Sequence, residues 1–404
     1  MGKHEEYWQS KRVGDLRTRC IRGGYDPRKE KFGDILPPLH LAVTHFMQDS
    51  FTAEKIIKGE CEGYAYGRFG NETVEMLERC VALVEGGEAA LACASGNAAN
   101  YLLATHFCSA GDNIVLPPYL YGGTDHLIRH RLSFVNIKTR FVKNPADIAE
   151  WRKCINKKTQ YLFVEMPTNP HGYMYDIQQI ASLAHEFNIQ LVVDSTVATP
   201  VLLEPLKYGA DLVMHSLTKS IAGFSQSMGG AIVGAHNSIE HLRRSEHRDE
   251  GLLLAPFNAW LIRIGIMTLV ERMEMQARST RELLAYFKNH ERIRTVWHPF
   301  CSDHPSHAVA MSLLHDAPPL LYFEVDGSEE QTRHVLDSLQ FCKQAVHLGD
   351  SNTLVTHCYS TTHGKLSPEE KRQSGIVPNG IRVSVGREAI GEILDDFEQA
   401  LKKI

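Results

Sequence analysis

The sequence has no apolar run approaching the ~20 residues that a membrane-spanning helix needs. No membrane partner is expected from it. It has no Cys-x-x-Cys pair: Cys20, Cys61, Cys80, Cys93, Cys108, Cys154, Cys301, Cys342 and Cys358 stand singly. An odd, scattered set of nine in a chain of 404 residues reads as reduced thiols in a cytoplasm-like compartment. Charge of one sign is also lacking. The net charge of −5 gives no global drive toward nucleic acid, and the pairs Lys11-Arg12 and Arg243-Arg244 are too few to form a basic patch. There is no His-Glu-x-x-His among the 21 histidines. His126 and His130, four apart, read as a packed or surface pair, so no metal site is expected. The opening Met1-Gly-Lys-His-Glu-Glu-Tyr-Trp is polar with no apolar signal region, and Glu6 stands where a myristoylation site needs Ser or Thr. A cytoplasmic protein is the expectation.

What is present is an ordinary globular composition, 43% hydrophobic and 23% charged, with length for two or three domains. The first seventy residues are interrupted by Gly23-Gly24, Pro37-Pro38 and the glycines from Gly63 to Gly70, and they read as an irregular arm needing a partner surface. From Asn71 the texture changes. Val74, Leu77, Val81 and Val84 recur at helical spacing, and Gly86-Gly87 ends that helix. Short apolar runs follow at 89–94, 114–117, 161–165, 191–194, 212–215 and 231–233. Helical segments such as 95–107 and 177–187 alternate with them. All-apolar strands alternating with helices predict a mostly parallel sheet covered on both faces. Residues 255–287 read as long helical sequence linking to a smaller α+β part, with strands at 320–325 and 380–385 and an amphipathic helix at 390–401. The expected division is an arm at 1–70, a large domain at 71–268 and a small C-terminal domain at 269–404.

In such sheets ligands sit beyond the carboxyl ends of the strands. Two predicted strands end in chemistry. One ends at Asp194, in Leu191-Val-Val-Asp194-Ser-Thr. The other runs into Ser216-Leu-Thr218-Lys219. Burying an ammonium is costly unless it loses its proton or finds a partner. A strand-end lysine, a strand-end aspartate and adjacent hydroxyls suit pyridoxal phosphate: the lysine holds the aldehyde as a Schiff base, the carboxylate pairs with the ring nitrogen, and the hydroxyls hold phosphate. The bland readings are a surface lysine and a helix-capping aspartate. Ser95-Gly96-Asn97 opens a helix whose first amides would meet a phosphate; a plain N-cap is the alternative. Tyr121, in a loop, could stack on a ring and move a proton, or merely pack. Arg382, in an alternating strand, could clamp a carboxylate through both arms, or make a surface ion pair. Tyr66 and Arg68 could reach an anion on another subunit, or belong to a solvated loop.

Together these residues resemble the cystathionine gamma-synthase-like family of pyridoxal-phosphate enzymes of cysteine and methionine metabolism. The resemblance runs from Thr18-Arg-Cys-Ile-Arg-Gly-Gly-Tyr-Asp-Pro27 through Tyr66-Gly-Arg68, Ser95-Gly96, Leu120-Tyr-Gly-Gly-Thr124, Pro167-Thr-Asn-Pro170, Val193-Asp-Ser-Thr196 and His215-Ser-Leu-Thr-Lys219. It closes at Ser360-Thr-Thr-His363 and Arg382-Val-Ser-Val-Gly386. It implies a fold type I, aspartate aminotransferase-like architecture with a mostly parallel seven-stranded sheet and a smaller α+β domain. It implies that Lys219 holds the aldehyde, Asp194 the ring nitrogen, Tyr121 the ring face and Asn169 the phenolic oxygen. Gly96, Asn97, Ser216 and Thr218 would hold phosphate, joined by Tyr66 and Arg68 of a neighbouring subunit in a homotetramer of two active dimers. Arg382, with Thr353 near it, would take the carboxylate of a small amino-acid substrate. The implied reaction is γ-elimination on methionine, cystathionine or a related sulfur amino acid, giving an oxo acid, ammonia and a thiol. The alternative is γ-replacement on an activated homoserine. Several positions depart from the family pattern on the expected substrate side: Asn97, Gly123, Phe224-Ser225-Gln226, Asn352 and Cys358.

Overall fold

The computed structural model describes residues 14–29 and 31–404. The six apolar runs become strands of one seven-stranded sheet: β1 (Ala89–Cys93), β2 (Asn113–Leu116), β4 (Thr159–Glu165), β5 (Gln190–Asp194), β6 (Leu212–His215) and β7 (Gly230–Gly234), while the seventh strand, β3 (Lys138–Phe141), forms where no apolar run stands. Their order is β1-β7-β6-β5-β4-β2-β3. The block from β6 to β3 is parallel throughout, and β7 runs against both of its neighbours, β1 and β6. Alternation along each strand feeds two cores. In β4, Leu162 and Val164 join the core on one face, with Leu191, Val193 and Trp151. Tyr161 and Phe163 join the other, with Ile114, Val192 and Met214. Burial on both faces is why these runs carry almost no polar residue until their last position.

The expected helix after Asn71 spans Glu72–Glu85. Asn71 accepts from the Thr73 and Val74 amides, and Gly86 closes the other end at φ 80°. The expected single helix over 255–287 is instead two, Pro256–Ile266 and Leu269–Lys288. The second joins both parts of the molecule. Leu269, Val270 and Met273 pack into the core of the seven-stranded sheet, while Leu283, Leu284 and Phe287 pack with Leu321, Phe323, Ile381, Val383 and Phe397. That second core lies on a five-stranded sheet of β8 (Ile293–Trp297), β9 (Leu320–Val325), β10 (Lys343–Gln344), β11 (Leu354–Thr356) and β12 (Gly380–Ser384), in order β10-β11-β12-β9-β8. The final helix, Ile390–Leu401, covers it. The arm is not wholly irregular: it carries helices at Leu16–Arg22 and Ser50–Lys58.

Among the described residues no helix is long and apolar enough to cross a membrane. All nine cysteines are free.

Two buried histidines tie the loops around β8 together. His298 donates through Nε2 to Pro318 O and accepts at Nδ1 from Phe300 N; His304 donates to His171 O and accepts from Ser306 N. An imidazolium could not accept, and burial holds both pKa values down to about 4. Unfolded imidazoles protonate near 6.5. This contribution to stability is therefore full above about pH 6.5 and is lost as pH falls toward 4. Asparagine at either position can accept from the amide two residues on without titrating. Thermal midpoints measured from pH 7 to 4.5 are expected to fall less steeply in a His298→Asn/His304→Asn double variant than in the wild type. Equal slopes would refute the assignment.

Candidate active site

Three adjacent parallel strands deliver the site. At the carboxyl end of β4, Glu165 stands in register with Asp194 at the end of β5, and β6 leads through His215 into Ser216–Lys219. Glu165 is 3% exposed and Asp194 6%. Burial pushes both carboxyl pKa values up, and the charge of Asp194 adds to the effect on Glu165. Glu165 organises two loops at once, accepting from Tyr121 N and from Asn169 N at 2.7 Å each. The strand-end position of Glu165 was legible in the sequence, yet no role was expected for it. Asp194 accepts from Thr196 N at 3.0 Å. Among the described ion pairs it has no cationic partner. A buried carboxylate without a cation is costly, and a protonated ring nitrogen supplies one.

The candidate phosphate end is built by close approach. Gly96 begins the helix Gly96–Phe107, whose N-cap Ser95 accepts from Ala98 N. The first-turn amides of Gly96 and Asn97 therefore keep no intrahelical acceptor. A Cβ on Gly96 would lie 2.9 Å from Ser216 Cβ and 3.2 Å from Ser216 Oγ. Only glycine lets these amides and the Ser216 hydroxyl share one cradle. The Ser216 amide is fixed by Thr196 Oγ1 at 2.8 Å. The Thr218 hydroxyl is partly engaged: it donates to Gly229 O and accepts from Gly229 N. These residues fit pyridoxal phosphate in donor type at one end and in charge at the other.

Lys219 follows in the loop after β6. Burial, followed by the charge of Arg382, lowers its pKa to about 8. Its Nζ is 3.2 Å from His347 Nδ1, a contact with no signal in the sequence. Arg382 is 1% exposed on β12. Its Nη2 donates to His347 O at 2.6 Å and its Nη1 reaches Asn169 Oδ1 at 3.4 Å, while Nε is buried without a partner. Among the described ion pairs no carboxylate serves it. Two other buried arginines differ: Arg263 and Arg272 each donate to three backbone carbonyls. Asn169 thus bridges Glu165 and Arg382. Thr353 is fully buried; its hydroxyl donates to Glu388 Oε2 and accepts from Gly386 N, so it supports the turn after β12, and among the described hydrogen bonds it makes none to the Arg382 guanidinium.

Tyr121 precedes the short helix Gly122–His126. Its ring lies over Gly123: a Cβ there would sit 2.4 Å from Tyr121 Cε1. A side chain at 123 would have to turn the ring. Gly123→Ala is expected to weaken cofactor retention several-fold with a modest fall in thermal midpoint, since overpacking at a movable ring costs about 1–3 kcal/mol. Cofactor titration checks this, and unchanged affinity would show the ring position to be irrelevant. Tyr66 is 44% exposed. Arg68 donates to Arg248 O at 2.8 Å and lies 4.0 Å from Asp249. Neither is brought to the Lys219 cluster within this chain.

Comparison with known proteins agrees with this geometry. Residues 17–402 match the family model described as Cys/Met metabolism PLP-dependent enzyme. An L-methionine gamma-lyase of Fusobacterium nucleatum subsp. polymorphum is 33% identical over 398 residues, covering 98% of this chain and 100% of that protein. An O-acetyl-L-homoserine sulfhydrylase of Leptospira meyeri is 32% identical, with 96% of each chain covered. A solved structure of a proposed O-acetylhomoserine (thiol)-lyase of Campylobacter jejuni, which carries an N'-pyridoxyl-lysine-5'-monophosphate, superposes with a TM-score of 0.92 at 29% identity over 96% of this chain and 100% of that one. The chain belongs to the Cys/Met metabolism family of PLP-dependent enzymes.

Proposed function

We propose that this enzyme is a carbon–sulfur lyase that eliminates the γ-substituent of methionine, cystathionine or a related sulfur amino acid, releasing a 2-oxo acid, ammonia and a thiol. The observation that carries the reading is the pair of buried groups of opposite sign without an ion-pair partner, Asp194 at the end of β5 and Arg382, whose charge acts on Lys219. Asp194 calls for the ring nitrogen of the cofactor, and Arg382 for the carboxylate of an amino acid held on it. Bound pyridoxal phosphate supplies an electron sink next to the substrate's α-carbon. Asp194 keeps the ring nitrogen charged. The cradle of Gly96, Asn97, Ser216 and Thr218 holds the phosphate, Tyr121 covers the ring face and Asn169 meets its phenolic oxygen. Arg382 binds the substrate carboxylate through its fork, and Thr353 stiffens the turn behind it. With a pKa lowered to about 8, Lys219 is partly neutral at physiological pH and can take the α-proton. The Tyr121 hydroxyl is the group to protonate the leaving sulfur.

The arm completes the site from a second copy. Phe46, Ile35 and Phe32 are 92%, 84% and 81% exposed, an apolar surface of the kind that subunits cover. Tyr66 and Arg68, idle in their own chain's site, would reach the neighbour's phosphate. Two such dimers would form the tetramer.

γ-Replacement on an activated homoserine is the second reading, supported by relatives named as sulfhydrylases. The two separate in one assay. The enzyme is incubated with methionine, cystathionine and O-acetylhomoserine, with and without sulfide. Oxo acid formed without added thiol supports elimination. Homocysteine formed only with sulfide, and no oxo acid from any of the three, would reverse the assignment.

A further inference from the structure

Lysine, arginine and histidine meet where a fold would normally avoid placing three cationic groups. Lys219 Nζ stands 3.2 Å from His347 Nδ1, and Arg382 Nη2 donates to the backbone carbonyl of that same histidine at 2.6 Å. An ammonium at Lys219 can only donate, so opposite the protonated lysine Nδ1 presents its lone pair and the imidazole is neutral. The surroundings favour this. Burial leads, and the charges of Lys219 and Arg382 add, in lowering the His347 pKa to about 4; the Asp350 carboxylate pulls the other way. Those three are the charged groups acting on it: Lys219 from the loop after β6, Arg382 from β12, and Asp350 from its own loop. Asp350 is itself held, accepting from Asn352 N and Asn352 Nδ2, while Ser225 of the loop following Lys219 donates to it. The loop that carries His347 is thereby fastened to the loop that carries Lys219. His347 Nε2 is buried without a partner, so the contact with Lys219 is the only side-chain hydrogen bond described for this imidazole.

We propose that His347 is the positioning residue for the active-site lysine: whenever Lys219 Nζ is not bonded to the cofactor, His347 Nδ1 accepts its hydrogen bond and holds it beside Arg382. This rests on the reading of Lys219 as the proton-moving lysine and adds a second residue to it. The consequence is specific. The acceptor stabilises the protonated amine against burial and against Arg382. Without it the lysine would lose its proton at a lower pH and its nitrogen would be unplaced. It would then be a weaker base for the α-proton, less often protonated when a proton must be returned, and less often in line.

The experiment uses the full-length protein and compares wild type, His347→Leu, His347→Asn and His347→Gln. Asparagine can put an oxygen near the position of Nδ1; glutamine puts its amide near that of Nε2. The first readout is the pH midpoint for acylation of Lys219, followed by mass spectrometry after the cofactor is resolved away. The second is the pH profile of kcat in the holoenzyme. Leucine and glutamine are expected to lower the midpoint by about one pH unit, the size of one hydrogen bond to a charged group, and to shift the profile likewise. Asparagine is expected to restore both. A leucine variant with an unchanged midpoint overturns the proposal, as does an asparagine variant that behaves like leucine. Should the leucine variant fail to fold, the asparagine–glutamine contrast decides alone. The acylation readout needs no turnover, so a failure here is distinct from a failure of Lys219 itself, which borohydride trapping of the cofactor on Lys219 reports.

Discussion

Lys219→Ala is expected to lose at least about 10³-fold in kcat while remaining folded and still binding pyridoxal phosphate. Its surroundings explain both halves. The side chain is a partly buried amine with a single hydrogen-bond partner, His347 Nδ1. Its folded pKa, about 8, lies below that of an unfolded lysine. The unfolded chain therefore binds more protons between about pH 8 and 10.4, and native stability rises with pH across that window. At pH 7 the amine is a burden on the fold, so its removal should not lower the thermal midpoint of the cofactor-free protein. The other contacts proposed for the cofactor, at Asp194 and at the Gly96–Ser216 cradle, are untouched. Borohydride should fix pyridoxal phosphate to the wild-type chain at Lys219 and leave the variant unmodified. The same variant tests the arm. In a dimer whose sites combine Lys219 of one subunit with Arg68 of the other, mixing inactive Lys219→Ala with Arg68→Ala subunits creates sites with neither change. About a quarter of the sites should regain activity after subunit exchange. No recovery at all would place Arg68 outside the neighbour's site.

The chemistry was legible where burial leaves no choice. Strands β4, β5 and β6 are covered on both faces, so their middles are apolar (161–164, 191–193, 212–214), and the polar group at the last position faces the ligand end of the sheet. Asp194 and the Ser216–Lys219 group stood out for that reason. Strand β3, Lys-Thr-Arg-Phe, did not, because an edge strand only half covers its alternate residues. Gly265, a poor helix former, was the one signal that the long helix breaks near Ile264–Thr268; a Cβ there would meet Ala222 O at 2.2 Å, so close packing requires the glycine. The substrate side was less legible still. His347 lies in an aperiodic stretch, and its meaning appears only when the loop after β6 meets it across 128 residues. Thr353 entered only through the family resemblance, and nothing in the sequence showed that Glu388, 35 residues on, holds its hydroxyl.

Arg382→Met is expected to reduce kcat/KM for any α-amino acid substrate by about 10²–10³-fold and to leave the substrate-free protein as stable as the wild type or more so. A buried charge that has lost its partner costs several kcal/mol, and a pair of isosteric apolar groups would avoid that cost. Arg382 is in that position before substrate arrives. It is 1% exposed, its Nε has no acceptor, and burial lowers its pKa. Methionine keeps most of the volume, so no large cavity opens. What disappears is an interaction formed only with a carboxylate, and the loss should fall mainly on KM. Amines lacking the carboxylate should bind wild type and variant alike. A second effect separates this role from a structural one. Arg382 is among the causes that hold the Lys219 pKa near 8, after burial itself. Without it, the pH at which Lys219 becomes neutral should rise, and the acid limb of the kcat profile should move to higher pH with it. A lysine replacement should recover part of the pH effect, because it restores charge, but little of KM, because an ammonium cannot grip both carboxylate oxygens as a guanidinium fork does. If Arg382→Met instead lowers the thermal midpoint sharply and leaves KM unchanged, the guanidinium is a structural support for the His347 loop and the substrate carboxylate binds elsewhere.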